Sequence, residues 1–299
     1  MLVSMKDILV HASKNNYAVA APNVGTELDA RAAIEVAEEI NSPIILDVGF
    51  GANADINFYG HMLADLARQS RVPVAINLDH GGSFEQCVAA VRAQFTSVMI
   101  DRSAESYEKN VADTAEVVKM AHAVGVSVEA ELGHVGQGSN AEEDTKSHLT
   151  EPEEAKKFIE ETGVDMLAVA IGTAHGAYPK GFVPKLDYER LDQIKAAVGQ
   201  DFPLVLHGSS GAPDDALKHV CSHGINKVNI ANDLCNAITA NLNALQLEGQ
   251  AAYGVWTEIV NGFKGKLRHM MVDIYCSAGQ AWVPECEGLT GTLESMEEK

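Results

Sequence analysis

Eight times along this chain a short apolar run rich in β-branched residues stops at a polar or glycine-rich group, and a longer segment with helical periodicity follows. The runs occupy residues 17–22, 43–48, 74–78, 97–100, 127–132, 166–171, 204–206 and 227–230. Segments 28–40, 83–94, 106–123, 151–162, 188–198 and 213–222 are long enough for crossover helices. Strands that are apolar at consecutive positions are covered on both faces, and alternation with helices makes them parallel. Eight units between residues 17 and 230, with no dinucleotide glycine fingerprint after the first strand, predict a single-domain α/β fold, the closed (β/α)8 TIM barrel. An open sheet of seven or eight strands is compatible with the same periodicity.

The barrel domain is expected over residues 1–281. Residues 282–299 carry Glu285, Glu287, Glu294, Glu297 and Glu298 with few bulky side chains and read as an acidic, flexible tail. Residues 133–149, with the run Glu142-Glu143-Asp144, are longer than an ordinary connection and read as a lid or a disordered segment.

The 46% apolar content of 299 residues is ample for a core. Against 42 acidic residues stand 22 basic ones, and the net charge of -20 argues against nucleic acid or an anionic membrane surface as partner. No apolar stretch approaches the roughly 18 residues of a membrane span. Residues 1–16 read as a first helix rather than a cleavable leader. Five scattered cysteines without a paired motif point to a reducing, cytoplasmic setting.

At the carboxyl ends of barrel strands, polar groups distant in sequence converge. Here those ends read Asp79-His80-Gly81-Gly82, Asp101-Arg102-Ser103, Glu129-Ala130-Glu131, Gly172-Thr173-Ala174-His175-Gly176, His207-Gly208-Ser209-Ser210-Gly211 and Asn229-Ile230-Ala231-Asn232. One such histidine is an ordinary strand cap. Three at equivalent places match the three protein ligands and open position of a catalytic zinc, so His80, His175 and His207 are the candidate metal set. Asp79 either orients a ligand imidazole or acts as an acid/base group. Glu129 and Glu131 share a face of one strand, with Asp101 on the next, and buried carboxylates need a cation. The glycine-serine turn at 208–211 offers N–H groups to an anion, and barrels frequently bind phosphate after strands seven and eight. Asn229 and Asn232 would add donors there.

The ordered series Leu-Asp-His-Gly, Glu-Ala-Glu-Leu-Gly, Gly-Thr-Ala-His-Gly, Leu-His-Gly-Ser-Ser and Lys-Val-Asn-Ile-Ala resembles the class II, zinc-dependent fructose- and tagatose-bisphosphate aldolases over roughly residues 1–280. The resemblance implies reversible retro-aldol cleavage of a phosphorylated ketose to dihydroxyacetone phosphate and an aldehyde. It implies one Zn2+ per chain on His80, His175 and His207, with Asp79 as catalytic acid/base. Glu131, with Asp101, is implied at an alternative metal position. Gly176, Gly208, Ser209, Ser210 and Asn229 are implied around the phosphate. A monovalent cation is an optional second ion, and a homodimer or homotetramer is the implied assembly. A loop glutamate protonates the enediolate in this family; Glu143 looks like its counterpart, or Glu142 if the alignment slips.

The chain departs from the family pattern where it contacts the far end of the sugar. Pro22-Asn23 replaces the usual Phe-Asn, Gly49 a common serine, Asn232 a threonine, and Cys235 a basic residue of some bisphosphate enzymes. The C-terminal Gly-Ser-Ala-Asn-like end becomes Cys276-Ser277-Ala278-Gly279. Asn23 and Asn232 are kept in the candidate substrate set. Ala231, where fructose-type enzymes often have aspartate, leans toward a tagatose-like or other aldehyde half. The alternatives are an aldolase for a ketose phosphate with a non-phosphorylated or modified distal end, and a non-catalytic aldolase-like partner subunit. A covalent-imine aldolase would need a strand-end lysine, and Lys227 is read at a strand start.

Overall fold

Eight parallel strands form one sheet: β1 (Val19–Pro22), β2 (Ile44–Gly49), β3 (Val74–Gly81), β4 (Ser97–Ile100), β5 (Ser127–Leu132), β6 (Met166–Val169), β7 (Leu204–Leu206) and β8 (Ile225–Ile230). Their order is β1-β8-β7-β6-β5-β4-β3-β2. A bridge between Asn23 and Asp47, and the Val24 N–H donating to the Asp47 carbonyl at 2.9 Å, bring β1 against β2 and complete the circle. This computed structural model, a (β/α)8 barrel as the periodicity predicts, describes residues 1–136, 138–140, 148–176, 178–246 and 248–283. The loop run Glu142-Glu143-Asp144 and tail residues 284–299 lie outside the described residues.

The crossover helices are α2 (Glu27–Glu39), α3 (Ile56–Gln69), α4 (Phe84–Arg92), α5 (Tyr107–His122), α6 (Pro152–Thr162), α7 (Tyr188–Val198) and α8 (Asp214–Ser222), preceded by α1 (Met5–Asn15) and followed by α9 (Asn232–Asn243) and α10 (Gly254–His269). Most begin at a side chain that satisfies a free N–H: Ser4, Thr26, Asp55, Ser83, Ser106 and Asp187 each accept a hydrogen bond from the first turn. One core layer lies between the helices and the outside of the strands. A second, smaller one fills the lower barrel with Val19, Ala21, Ile45, Ala75, Met166, Ala168 and Val205, and α1 covers it with Met5, Ile8, Leu9 and Ala12. The site must therefore lie at the opposite, carboxyl-terminal mouth.

Five strands differ from their predicted extents: β1 begins at Val19 rather than 17, β2 runs 44–49 rather than 43–48, and β6, β3 and β8 differ as follows. The run at 166–171 leaves the ladder after Val169, because the Ala170 N–H is taken by Thr150 Oγ1 at 2.8 Å and its carbonyl by the Thr150 N–H at 3.0 Å. Strand β3 continues past Leu78 to Gly81 with a shift of register against β4. Strand β8 starts at Ile225, so Lys227 is not at a strand start; it is fully buried inside the barrel. Among the described residues no helix is long and apolar enough to cross a membrane.

Candidate active site

Neighbouring residues of a strand normally point to opposite faces. Asp79 and His80 nevertheless both reach the mouth of the barrel, because His80 adopts a left-handed φ of 50° within the register shift of β3. That conformation costs a non-glycine residue on the order of 1–3 kcal/mol, and surrounding contacts must hold it. The His80 Nε2 lies 3.0 Å from His207 Nδ1, and the His175 ring stands edge-on to His80 with centroids 4.7 Å apart. Ligand atoms of His80, His175, His207 and Glu131 all lie within 4.8 Å of one another.

The outer nitrogens decide the tautomers. His80 Nδ1 is 2.8 Å from Asp101 Oδ2, and His207 Nε2 is 2.9 Å from Glu129 Oε1. An ionised carboxylate only accepts, so these nitrogens carry the protons; His80 Nε2 and His207 Nδ1 face inward 3.0 Å apart and share one proton in the metal-free site, whose loss frees both lone pairs for an ion. Burial, with the neighbouring rings adding to it, pushes His175 down to about 3, leaving a neutral imidazole. For His80 burial acts downward, but the Asp101 hydrogen bond and the Asp79 and Glu131 carboxylates outweigh it and raise it to about 9. Burial pushes Glu131 above the usual carboxylate range. Its Oε1 accepts from the Val135 N–H at 3.0 Å, while its Oε2 is buried with no hydrogen-bond partner among the described residues and lies 3.4 Å from His207 Nδ1.

The residues present fit a divalent ion. Two inward ring nitrogens 3.0 Å apart are close to the roughly 3.3 Å edge of a tetrahedron whose Zn–N bonds are about 2.0–2.1 Å. A third imidazole and an unpartnered carboxylate oxygen complete a set that nitrogen- and oxygen-seeking metals prefer. Asp101 is not one of the four converging donors. Its Oδ2 faces His80 and its Oδ1 accepts from the Ser103 N–H and hydroxyl, at 3.0 and 2.8 Å. Burial opposes its ionisation, but the His80 and Ser103 contacts win and hold it well below the usual range.

Asp79 is clamped by two amides. Asn23 Nδ2 donates to its Oδ2 at 2.7 Å and Asn229 Nδ2 to its Oδ1 at 2.9 Å. Burial acts to raise its pKa, but His80, Lys227 and His207 outweigh it, so the group is held below its ordinary value and is a carboxylate. It lines a cavity of about 240 Å3 together with His80, His175, the Gly208-Ser209-Ser210 turn, Asn229 and Asn232, and with Asn23, Gly176 and Ala231. Larger cavities of about 590 and 630 Å3 lie elsewhere and contain none of the converging imidazoles.

The serine turn is rigid. Ser209 donates to the Asn229 carbonyl at 2.6 Å, and Ser210 Oγ accepts from the Asp233 N–H at 3.2 Å. Gly208 has φ +64, and a Cβ there would sit 2.5 Å from the Ala174 carbonyl oxygen, so only glycine lets the turn reach the β6 loop. The N-terminus of α9 opens beside it with Ala231 as its N-cap residue, which offers no side-chain cap; Ser210 takes the Asp233 N–H, and the helix end favours an anion. Among the described residues no lysine or arginine lines the cavity.

The positions singled out from the sequence, Asp79, His80, His175, His207 and Glu131, with Asn23, Gly176, Gly208, Ser209, Ser210, Asn229 and Asn232, thus come together. Glu143 lies outside the described residues. Sequence reasoning missed Glu129 as the partner of His207, and missed Lys227 and Asp47 beneath it. Charged residues at inward-facing positions of otherwise apolar strands were the available signal.

The profile of the family described as "Fructose-bisphosphate aldolase class-II" matches residues 3–280. The "Fructose-bisphosphate aldolase" of Thermus caldophilus is 42% identical over 268 residues, covering 80% of this chain and 86% of its own. That of Helicobacter pylori strain J99 is 40% identical over 282 residues, covering 85% and 90%. The crystal structure of the YdjI aldolase from Escherichia coli K12 superposes with a TM-score of 0.83 at 34% identity, covering 94% of this chain and all of that one.

Proposed function

The chain belongs to the class II fructose-bisphosphate aldolase family and is a carbon–carbon lyase, and from that premise we propose that it is a metal-dependent aldolase cleaving a tagatose- or fructose-bisphosphate-like ketose to dihydroxyacetone phosphate and an aldehyde. His80, His175 and His207 would hold the ion, with Glu131 as an alternative ligand, and Zn2+ suits that donor set. When bound, it would supply a Lewis acid able to offset negative charge that develops on the ketose oxygens.

The chain's own residues do the rest. The Asp79 carboxylate, held between Asn23 and Asn229, takes the proton of the C4 hydroxyl; the C3–C4 electron pair moves to C3 as the C4 carbonyl forms, and the aldehyde leaves. Protonation at C3 is assigned to Glu143, outside the described residues. The Gly208, Ser209 and Ser210 amides and the Ser210 hydroxyl, with Gly176, Asn229 and Asn232, bind the phosphate of the dihydroxyacetone half. With no lysine or arginine among the described residues that line the cavity, oriented N–H groups supply the local positive potential that a chain of net charge -20 needs. Ala231 at the cavity edge supports a tagatose-like aldehyde half. Family resemblance supports a homodimer or homotetramer, and the thiol pattern a cytoplasmic location.

The observation that carries this reading is the meeting of three imidazoles and Glu131 within 4.8 Å beside the amide-clamped Asp79. Purified protein is expected to hold about one zinc per chain, to lose it with His175→Ala, and to release dihydroxyacetone phosphate from one of the two bisphosphates. Full activity after exhaustive chelation removes the reading.

A further inference from the structure

Below the imidazoles, a file of charged groups crosses the barrel interior. His207 Nε2 meets Glu129 Oε1 at 2.9 Å; Lys227 Nζ donates to Glu129 Oε2 at 2.8 Å and lies 3.1 Å from Asp47 Oδ2; Asn77 Nδ2 donates to Asp47 Oδ1 at 2.9 Å. Strands β2, β3, β5 and β8 each contribute one member below His207, and all five side chains are 0% exposed. Buried ion pairs are weak contributors to stability, since well-packed apolar residues of the same volume commonly do as well or better. Neither Lys227 nor Glu129 lines the substrate cavity. What the file does reach is one ring nitrogen of a candidate metal ligand.

We propose that Lys227 is a positioning residue for the metal centre: anchored by Asp47, its ammonium holds Glu129 under His207, which keeps the ring proton on Nε2 and turns Nδ1 toward the ion. This rests on the metal-dependent reading above. Without the ammonium, Glu129 Oε2 is a carboxylate oxygen in a dry interior with no donor, and the carboxyl turns away from its place under His207. That removes the fixed acceptor from His207 Nε2. The ring is then free to carry its proton on Nδ1, which must be shed before a metal can bind.

Two charge-balanced variants of the full chain test this. Glu129→Gln leaves Lys227 paired with Asp47, and Lys227→Met combined with Asp47→Asn removes one charge of each sign. Zinc affinity is measured by competition with a fluorescent chelator, folding by thermal melting of the metal-free protein, and the His207 tautomer by ring 15N shifts. Both variants are expected to bind zinc 10–100-fold more weakly. The metal-free melting temperature of Glu129→Gln stays within a few degrees of the parent, and the parent His207 shows a single Nε2-protonated form. Parental zinc affinity in folded Glu129→Gln overturns the inference, as does a parent ring protonated on Nδ1; the latter readout decides even if the double variant fails to fold. If the parent itself binds no zinc, the metal reading falls and takes this inference with it.

Discussion

Replacing Asp79 by asparagine separates the geometry of the site from its chemistry. Both carboxylate oxygens accept from amides, Oδ2 from Asn23 at 2.7 Å and Oδ1 from Asn229 at 2.9 Å. An asparagine at 79 has one oxygen, so one of these contacts would set N–H against N–H. Asn229 can relieve it, because its Oδ1 is buried without a partner among the described residues and a half-turn of its amide presents that oxygen to the new donor. The structural cost is then about one net hydrogen bond, roughly 1 kcal/mol. What cannot be repaired is the base. A positioned general base is worth about 10²–10⁴ in rate, or roughly 2.7–5.4 kcal/mol of barrel-mouth chemistry. Steady-state cleavage, followed through dihydroxyacetone phosphate, should show kcat reduced by that factor, KM within about threefold, and bound metal unchanged by elemental analysis. Retention of more than about a tenth of kcat with metal in place would refute Asp79 as the base.

Three further outcomes follow from the coordinates. Gly208→Ala places a methyl 2.5 Å from the Ala174 carbonyl oxygen at φ +64, so the serine turn must open; KM for the ketose phosphate should rise about tenfold or more in initial-rate assays. Leu9→Ala empties a fully buried position in the floor of the barrel, and thermal or urea unfolding should show a loss of about 2–5 kcal/mol. Burial lowers Lys195 to about 8 from an ordinary 10.5, only partly offset by Asp201. Below pH 8 both folded and unfolded chains are protonated there and the cost of burying the charge is present. Between pH 8 and 10.5 the folded chain alone sheds the proton, so stability rises with pH by up to roughly 3 kcal/mol relative to Lys195→Met. A constant difference between the two proteins across that window, in urea unfolding, contradicts the assignment.

The alternation of apolar runs and helical segments was enough to place all eight strands, because burial on both faces of a parallel sheet leaves a strong local signature. The ends of those strands were less legible. Nothing local to residues 166–171 announces that Thr150 will take both backbone groups of Ala170 and end β6 at Val169. Lys227 read as a strand-start residue because the two positions before it, Ile225 and Asn226, do not extend the apolar run; pairing with β1 and β7 makes it interior. Asp101 shows the same limit within the site. Its place on the strand next to Asp79 and His80 was readable, but whether it faces a metal or the back of His80 depends on a side-chain direction set by Ser103.

By itself the amino-acid order determined the architecture, the mouth at which chemistry must lie and the residue types gathered there, since each follows from periodicity and from strand ends sharing one rim. Folding in three dimensions decided which atoms do what. The left-handed turn at His80 swings it to the same side as Asp79 against the strand's alternation, carboxylates behind two rings select the nitrogens that face inward, and a lysine 98 positions from Glu129 becomes its counter-charge. Those outcomes hinge on contacts between segments far apart along the chain, and so on distances that no local pattern encodes.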